Sequence, residues 1–357
     1  MTSIRDVALK AGVSTATVSH VLNKTRPVLP ETRELVEAAI RSLHYRPNAI
    51  ARGLQTNRTR TIGVIVANIG SYFFAQLVRD IETALEVAHY NLILCNTDEQ
   101  PERERRYLES LYEKRVDGLI IVPTGAEQPI LKQYADAGIP VVSVYRKPGT
   151  AYGPVVMTDE FASGYTAARY LIQRGHRRIG VLGRGHNLTP LIYRTQGYMH
   201  ALRDHGIAID QRLIEINYRA PERTVDSARR LFAHGEPITA VISMSLSTSL
   251  SLLTAMRQIG VRYPDDVSVL GIGDAPWMEV LPAPLTVMAA PTREMARMAT
   301  ERTLAAIESN GRNRATATPP SGGIELLQAQ LIERDSCLNN PALVQIATHR
   351  EVIAHTS

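Results

Sequence analysis

Apolar positions between residues 3 and 45 recur every three or four places. Ile4, Val7, Ala8 and Ala11 fall on one face of a helix that Ser3 can cap and Gly12 can end. Ser14 can open a second helix across TATVSHVLN, with Val18, Val21 and Leu22 turned inward. Pro30 suits the first turn of a third, PETRELVEAAIRSLHY. Its Leu35, Ala38, Ala39 and Leu43 make a stripe that Val36 and Ile40 widen, while Leu29 in front offers no capping acceptor. Two helices joined by a glycine-containing turn and braced by a third predict a helix-turn-helix, whose second helix lies in the major groove. Thr15, Ala16 and Thr17 stand at the start of that helix, with Ser19, His20 and Asn23 along its exposed side. Hydroxyls, a small apolar group and an imidazole can read base edges or bond phosphates. Taken singly, each also suits a solvated helix face.

From Thr61 the pattern changes. TIGVIVA, NLILCN, DGLIIVP, PVVSVY, RIGVLG, ITAVISM and VSVLGIG are near-continuous apolar runs, as buried parallel strands require. Amphipathic helices such as FFAQLVRDIETALEVA, ERERRYLESLYEK and FASGYTAARYLIQRG lie between them. This alternation predicts doubly wound α/β structure, and the run is too long for one sheet. Two lobes are expected, with the chain crossing near residues 160, 290 and 322, so that neither lobe is a contiguous half. Ligands bind in such folds at the carboxyl ends of the strands.

Composition narrows the class. The 357 residues are 44% apolar and 21% charged, an ordinary globular balance, and no apolar run is long enough to span a bilayer. Disordered, fibrous, membrane and disulfide-stapled proteins are excluded. Two cysteines, Cys95 and Cys337, fit a reducing compartment. The opening MTSIRDVALKAGVS has an early acid and no apolar signal core, so a cytoplasmic location is expected, at the nucleoid when bound to DNA. Charge is uneven: residues 1–60 hold ten Lys/Arg against four acids, a balance of +6, whereas the whole chain carries +5. The excess positive charge sits in the N-terminal module, and a polyanion partner suits it.

DVA-x3-GVS-x2-TVS-x-VLN, followed by ETR, L-x-Y-x-PN-x2-AR-x-L and IGV, resembles the headpiece and hinge of the LacI/GalR family of bacterial transcription regulators. The resemblance runs to about Ser336. It implies an N-terminal all-α helix-turn-helix headpiece followed by two doubly wound parallel-sheet lobes of periplasmic-binding-protein type. It implies residues 1–46 as headpiece, 47–60 as hinge helix and linker, 61–336 as the effector-binding and dimerisation domain, and 337–357 as a tail. By the same resemblance Thr15, Ala16 and His20 choose the operator sequence. Asn48–Thr56 would be a hinge helix that folds in the minor groove, with Leu54 as its apolar wedge. Gly53, where the family usually has a better helix former, weakens the free hinge.

Effector contacts are also implied. Phe73 and Phe74 stand near a ring-stacking position. Arg194, in R-x-x-G-Y, matches an arginine that grips ligand hydroxyls or carboxylates. Asp274, in GIGD, matches a hydrogen-bond acceptor, and Tyr218 and Trp277 would wall the pocket. Arg146, Asp159 and Ser245 complete the candidate set. The chain departs from its relatives in having Ser245-Leu246 where many carry Asn-Asp, and Thr158-Asp159 where many carry Asp-Asn. With those acidic acceptors absent, and Arg146, Arg184 and Arg194 present, a sugar acid or other anion becomes a candidate beside a neutral sugar. A pseudo-palindromic double-stranded operator, a small-molecule effector and a second copy of the chain are the expected partners. The alternatives are a ligand-binding protein without DNA function and a regulator with a nucleobase-type corepressor.

Enzyme signatures are missing from the sequence. GRGH (Gly183–His186) lacks the third glycine of a dinucleotide fingerprint, and no G-x4-GK[ST], HExxH, paired CxxC or nucleophile elbow occurs. No enzymatic activity, cofactor, metal or membrane partner is expected. Leu343, Ile346 and Ile353 in the tail form only partial heptads, which do not predict a tetramer.

Overall fold

The computed structural model describes residues 2–23, 26–45, 58–185, 188–217, 222–233, 236–312 and 323–339. They fall into two compact units that divide between Arg60 and Thr61. The expected hinge helix with Leu54, the residue Tyr218, and the tail beyond Asn339 lie outside the described residues.

The first unit holds three helices, α1 (Ile4–Ala11), α2 (Thr15–Asn23) and α3 (Pro30–Ser42). Ser3 closes a capping box: its hydroxyl accepts from the Asp6 N–H, and the Asp6 carboxylate accepts from the Ser3 N–H at 2.8 Å. Gly12 ends α1 at φ +67°, a left-handed conformation that a side chain would disfavour. Such short helices rely on packing. Val7, Val18 and Val36 are fully buried, with Ala8, Ala11, Val21 and Ala39 around them. The α3 stripe is phased differently from the expected one. Leu35 is 58% exposed and Ala38 is exposed, while Val36, Ala39, Ile40 and Leu43 face the core. Six apolar residues cover more than one face of this helix, so periodicity alone does not choose its buried side.

In chain order the second unit runs β1 (Thr61–Val66), α4 (Tyr72–Val87), β2 (Asn91–Asn96), α5 (Pro101–Glu113), β3 (Gly118–Ile121), α6 (Ile130–Asp136), β4 (Val141–Val144) and β5 (Val155–Thr158). It continues through α7 (Glu160–Gln173), β6 (Ile179–Arg184), α8 (Thr189–Asp204), β7 (Ile214–Asn217), α9 (Glu222–Phe232), β8 (Ala240–Ser243) and α10 (Leu246–Ile259). It ends with β9 (Ser268–Ile272), β10 (Thr286–Ala289), α11 (Thr292–Arg312), β11 (Ile324–Leu327) and β12 (Gln330–Ile332). Two six-stranded sheets result, in the orders β2-β1-β3-β4-β5-β11 and β7-β6-β8-β9-β10-β12. All pairings are parallel except that of β10 with β12. β3, β4, β5 and β8 are buried along their whole length. β2 is apolar enough to predict a buried strand, yet it sits at a sheet edge, and Leu94 is 40% exposed.

The chain crosses between lobes three times. After β5 it enters the second lobe, where α7 and α8 pack on β6, β8 and β10. After β10 it returns, and Met295, Ala296, Ala299 and Ile307 of α11 join the first core. The third crossing lies at Gln328–Ala329, a few residues beyond the expected position near 322. β11 still pairs with β5 through Leu327, and Gln330 already pairs with Ala289 of β10.

Candidate functional site

In the first unit, the Ser14 hydroxyl accepts from the Thr17 N–H at 3.1 Å and so fixes the first turn of α2. Thr15 and Ala16 are exposed on that turn, and Thr17, Ser19 and His20 are half-buried beside it. Asn23 ends the helix. The cations Arg5, Lys10, Arg26, Arg33 and Arg41 are exposed on the same unit, in reach of a polyanion. The structure thus gathers the described DNA-reading candidates on one helix.

In the second unit, β1 lies between β2 and β3, and β6 lies between β7 and β8. At these positions successive loops diverge and leave a crevice at the carboxyl ends. Phe73 and Phe74 open α4 just after β1. Tyr145, directly after β4, joins them: ring centroids are 4.6 Å from Phe73 and 5.6 Å from Phe74. Tyr145 sits at φ +67°, a costly conformation for a non-glycine residue, which the aromatic packing holds in place.

Arg194 reaches this group from α8 of the other lobe. Its side chain is buried, and its guanidinium donates to the Glu160 Oε2 at 2.6 Å, the Met244 carbonyl at 2.6 Å and the Tyr145 hydroxyl at 3.4 Å. Burial pushes the Glu160 carboxyl up, and the Arg194 charge pulls it back. Burial likewise opposes the Arg194 charge, but Glu160 and Tyr145 outweigh it and hold the guanidinium firmly protonated. A glycine pair sets this geometry. A Cβ on Gly164 of α7 would lie 2.0 Å from the Arg194 carbonyl oxygen, and one on Gly197 would lie 2.1 Å from the Phe161 carbonyl oxygen. Only without those atoms can the two helix backbones approach closely enough to pair Glu160 with Arg194.

The other candidates are engaged elsewhere. Arg146 makes a two-pronged pair with Glu99 at 2.6 and 2.7 Å. Arg334 takes both Asp274 oxygens at 2.9 and 2.8 Å. Asp159 caps α7 by accepting from the Ala162 N–H, and Ser245 forms a capping box with Thr248 at the start of α10. Trp277 packs against the second-lobe core beside Leu182, Val241, Val269 and Val287. The structure brings together Phe73, Phe74 and Arg194, but gives Arg146 and Asp274 partners of their own.

Tyr145, Glu160, Glu99 and Arg334 are missing from the sequence-derived set. Glu160 looks like an ordinary first-turn helix acid, which the helix dipole favours, so nothing in its neighbourhood signals a buried ion pair. Tyr145 carries a faint signal, because it follows an apolar strand and precedes Arg146. Among the described residues, no group of three His, Cys, Asp or Glu side chains could hold a metal, and no helix is long and apolar enough to cross a membrane.

Comparison with known proteins places this geometry in context. The family model for bacterial regulatory proteins of the lacI family matches residues 3–48. The model for periplasmic binding proteins and the sugar binding domain of the LacI family matches residues 59–327. The HTH-type transcriptional repressor PurR of Vibrio atlanticus (strain LGP32) is 36% identical over 305 residues, 84% of this chain and 90% of that protein. The solved complex of the transcriptional regulator CelR with cellobiose is 28% identical, with a TM-score of 0.68, and the match covers 94% of this chain and 100% of that one. The lac repressor dimer bound to operator and the anti-inducer ONPF shares the fold at a TM-score of 0.80 and 22% identity, over 94% of this chain and 99% of that one.

Proposed function

The chain belongs to the LacI family of bacterial regulatory proteins, and from that membership we propose how it works. It is a DNA-binding transcriptional regulator of the repressor kind, controlled by a small-molecule effector and acting as a dimer. Two headpieces engage a pseudo-palindromic operator through successive major grooves. Thr15, Ala16, Thr17, Ser19, His20 and Asn23 meet the DNA, and Leu54 opens the central minor-groove step. The effector lies between the lobes against Phe73, Phe74, Tyr145 and Arg194, and Tyr218 and Trp277 are proposed as further contacts from the family resemblance alone. Arg146, Asp159, Ser245 and Asp274 act one step removed, by shaping the loops. Effector binding changes the angle between the lobes and hence the spacing of the hinges, and linkage requires DNA to change effector affinity by the same factor.

A sugar-sized polar molecule is the effector class this reading favours, in line with the sugar-binding family match and the relative solved with cellobiose. A flat nucleobase-type corepressor is the second reading, favoured by the Phe73–Tyr145 ring pair. The relatives are regulators, so no turnover is assigned, and the cytoplasm is the place of action.

The observation that carries the reading is the exposed first turn of α2, braced by Ser14 on a basic unit. Replacing His20 with alanine is expected to shift operator preference by about 1–3 kcal/mol at one base step while leaving ligand affinity unchanged. Competition binding against a set of single-base operator variants measures it. An unchanged preference profile would remove His20 from the reading face.

A further inference from the structure

Two of the three arginines expected to hold an anionic effector already have anionic partners inside the protein. Glu99 takes Arg146, and Glu160 takes Arg194. The second pair is the more telling one, because both side chains are almost wholly buried, at 7% and 1% exposure. Glu160 fills one oxygen with Arg194, while its other oxygen, Oε1, is buried with no partner. Two residues earlier, the buried Thr158 hydroxyl is also without a partner. Unfilled acceptors in such a place call for a donor, because leaving them empty costs free energy.

We propose that Glu160 sets the ligand class of the inter-lobe site: it neutralises Arg194 from within, keeps carboxylates and phosphates off that guanidinium, and selects a neutral ligand bearing hydroxyl or N–H donors. The inference rests on the reading that Arg194 belongs to the effector site. A ligand carboxylate arriving at Arg194 would meet the Glu160 carboxylate beside it, and two like charges in a buried site raise each other's energy. A hydroxyl meets no such obstacle. It can donate to Glu160 Oε1 and accept from Arg194. This reverses the leaning toward an anion that Arg146, Arg184 and Arg194 suggest in sequence. Of these three, only Arg184, half-buried at the carboxyl end of β6, has no carboxylate partner among the described residues.

The test is thermal unfolding and calorimetric titration of the full chain with sodium acetate and D-galacturonate, against sodium chloride and D-galactose at matched ionic strength. Glu160→Ala empties a carboxylate-sized space beside Arg194. Acetate is expected to stabilise that variant saturably, and its affinity to exceed that of the wild type by at least about tenfold. The gain should vanish in the Glu160→Ala/Arg194→Ala double variant. Should Glu160→Ala not fold, Glu160→Gln removes the charge at the same volume, and a gain over the wild type in acetate or galacturonate affinity is required of it. An acetate response no greater than that of the wild type would overturn the proposal. So would saturable binding of acetate or galacturonate by the wild type, whether through Arg194 or through Arg184. The underlying reading fails separately: if operator binding by Arg194→Ala still answers to a metabolite that acts on the wild type, Arg194 is not at the effector site, whatever acetate does.

Discussion

Replacing Arg194 with alanine is expected to remove about 3–5 kcal/mol of stability from the two-lobed unit and to abolish its effector response. The large figure comes from what is left behind. Glu160, 2% exposed, loses its cation and stands as a buried carboxylate whose second oxygen already lacks a partner. The sign of the pH dependence follows. Burial raises the Glu160 carboxyl above its ordinary value, and without Arg194 nothing restrains the rise. A group with a raised folded pKa imposes no cost while it is protonated in both states. The cost appears as pH climbs through the folded value. Urea unfolding should therefore show a deeper deficit at pH 8 than at pH 5. Removing Glu160 as well should recover part of the loss, so the double variant is less damaged than the two single effects added. A small, pH-independent deficit would mean that the pair does not hold α7 against α8.

Gly164→Ala is expected to destabilise, against the rule for glycines inside helices. Alanine normally gains roughly 0.5–1 kcal/mol over glycine in a helix interior. Here the added Cβ would lie 2.0 Å from the Arg194 carbonyl oxygen and 2.7 Å from its Cα. These are backbone atoms, so α7 and α8 must part, and overpacking of this kind costs about 1–3 kcal/mol or more. The displacement also draws Arg194 from the Met244 carbonyl, so ligand affinity should fall together with stability. Thermal unfolding with a ligand titration separates the possibilities, and a stabilised Gly164→Ala would show that the helices have room to spare.

Much of this architecture is legible in sequence because local chemistry writes it. Ser3 with Asp6, Ser14 with Thr17, and Gly12 in a left-handed turn fix the headpiece helices from within a few residues. The long apolar strands announce two α/β lobes. Other strands are less visible: β5 (VVMT), β7 (IEIN), β10 (TVMA) and β11 (IELL) carry Thr, Glu or Asn within or at the ends of their short apolar runs. In α3 the difficulty is excess, since Leu35 and Ala38 compete with Val36 and Ala39 for the buried face.

The site was legible as a set of residue types but not as a set of partners. Arg146 lies 47 residues from Glu99, and Asp274 lies 60 from Arg334. No spacing rule links such pairs, because only the crossing of the chain and the sheet order bring them together. Glu160 and Arg194 are 34 apart, and their meeting depends on Gly164 and Gly197 in separate helices; R-x-x-G-Y marks the second, but nothing in sequence links it to the first. That hidden pairing gives Arg194 a buried carboxylate partner of its own.

In this proposal a folded basic headpiece reads DNA under the control of a ligand held between the lobes. Selection of bound duplexes from a random pool at fixed salt, with and without an added metabolite mixture, tests it most directly. The account predicts enrichment of an inverted repeat with two half-sites in successive major grooves, with recovery that changes when the mixture is present. Retention of duplexes with no shared sequence by folded protein, in both arms, would contradict it.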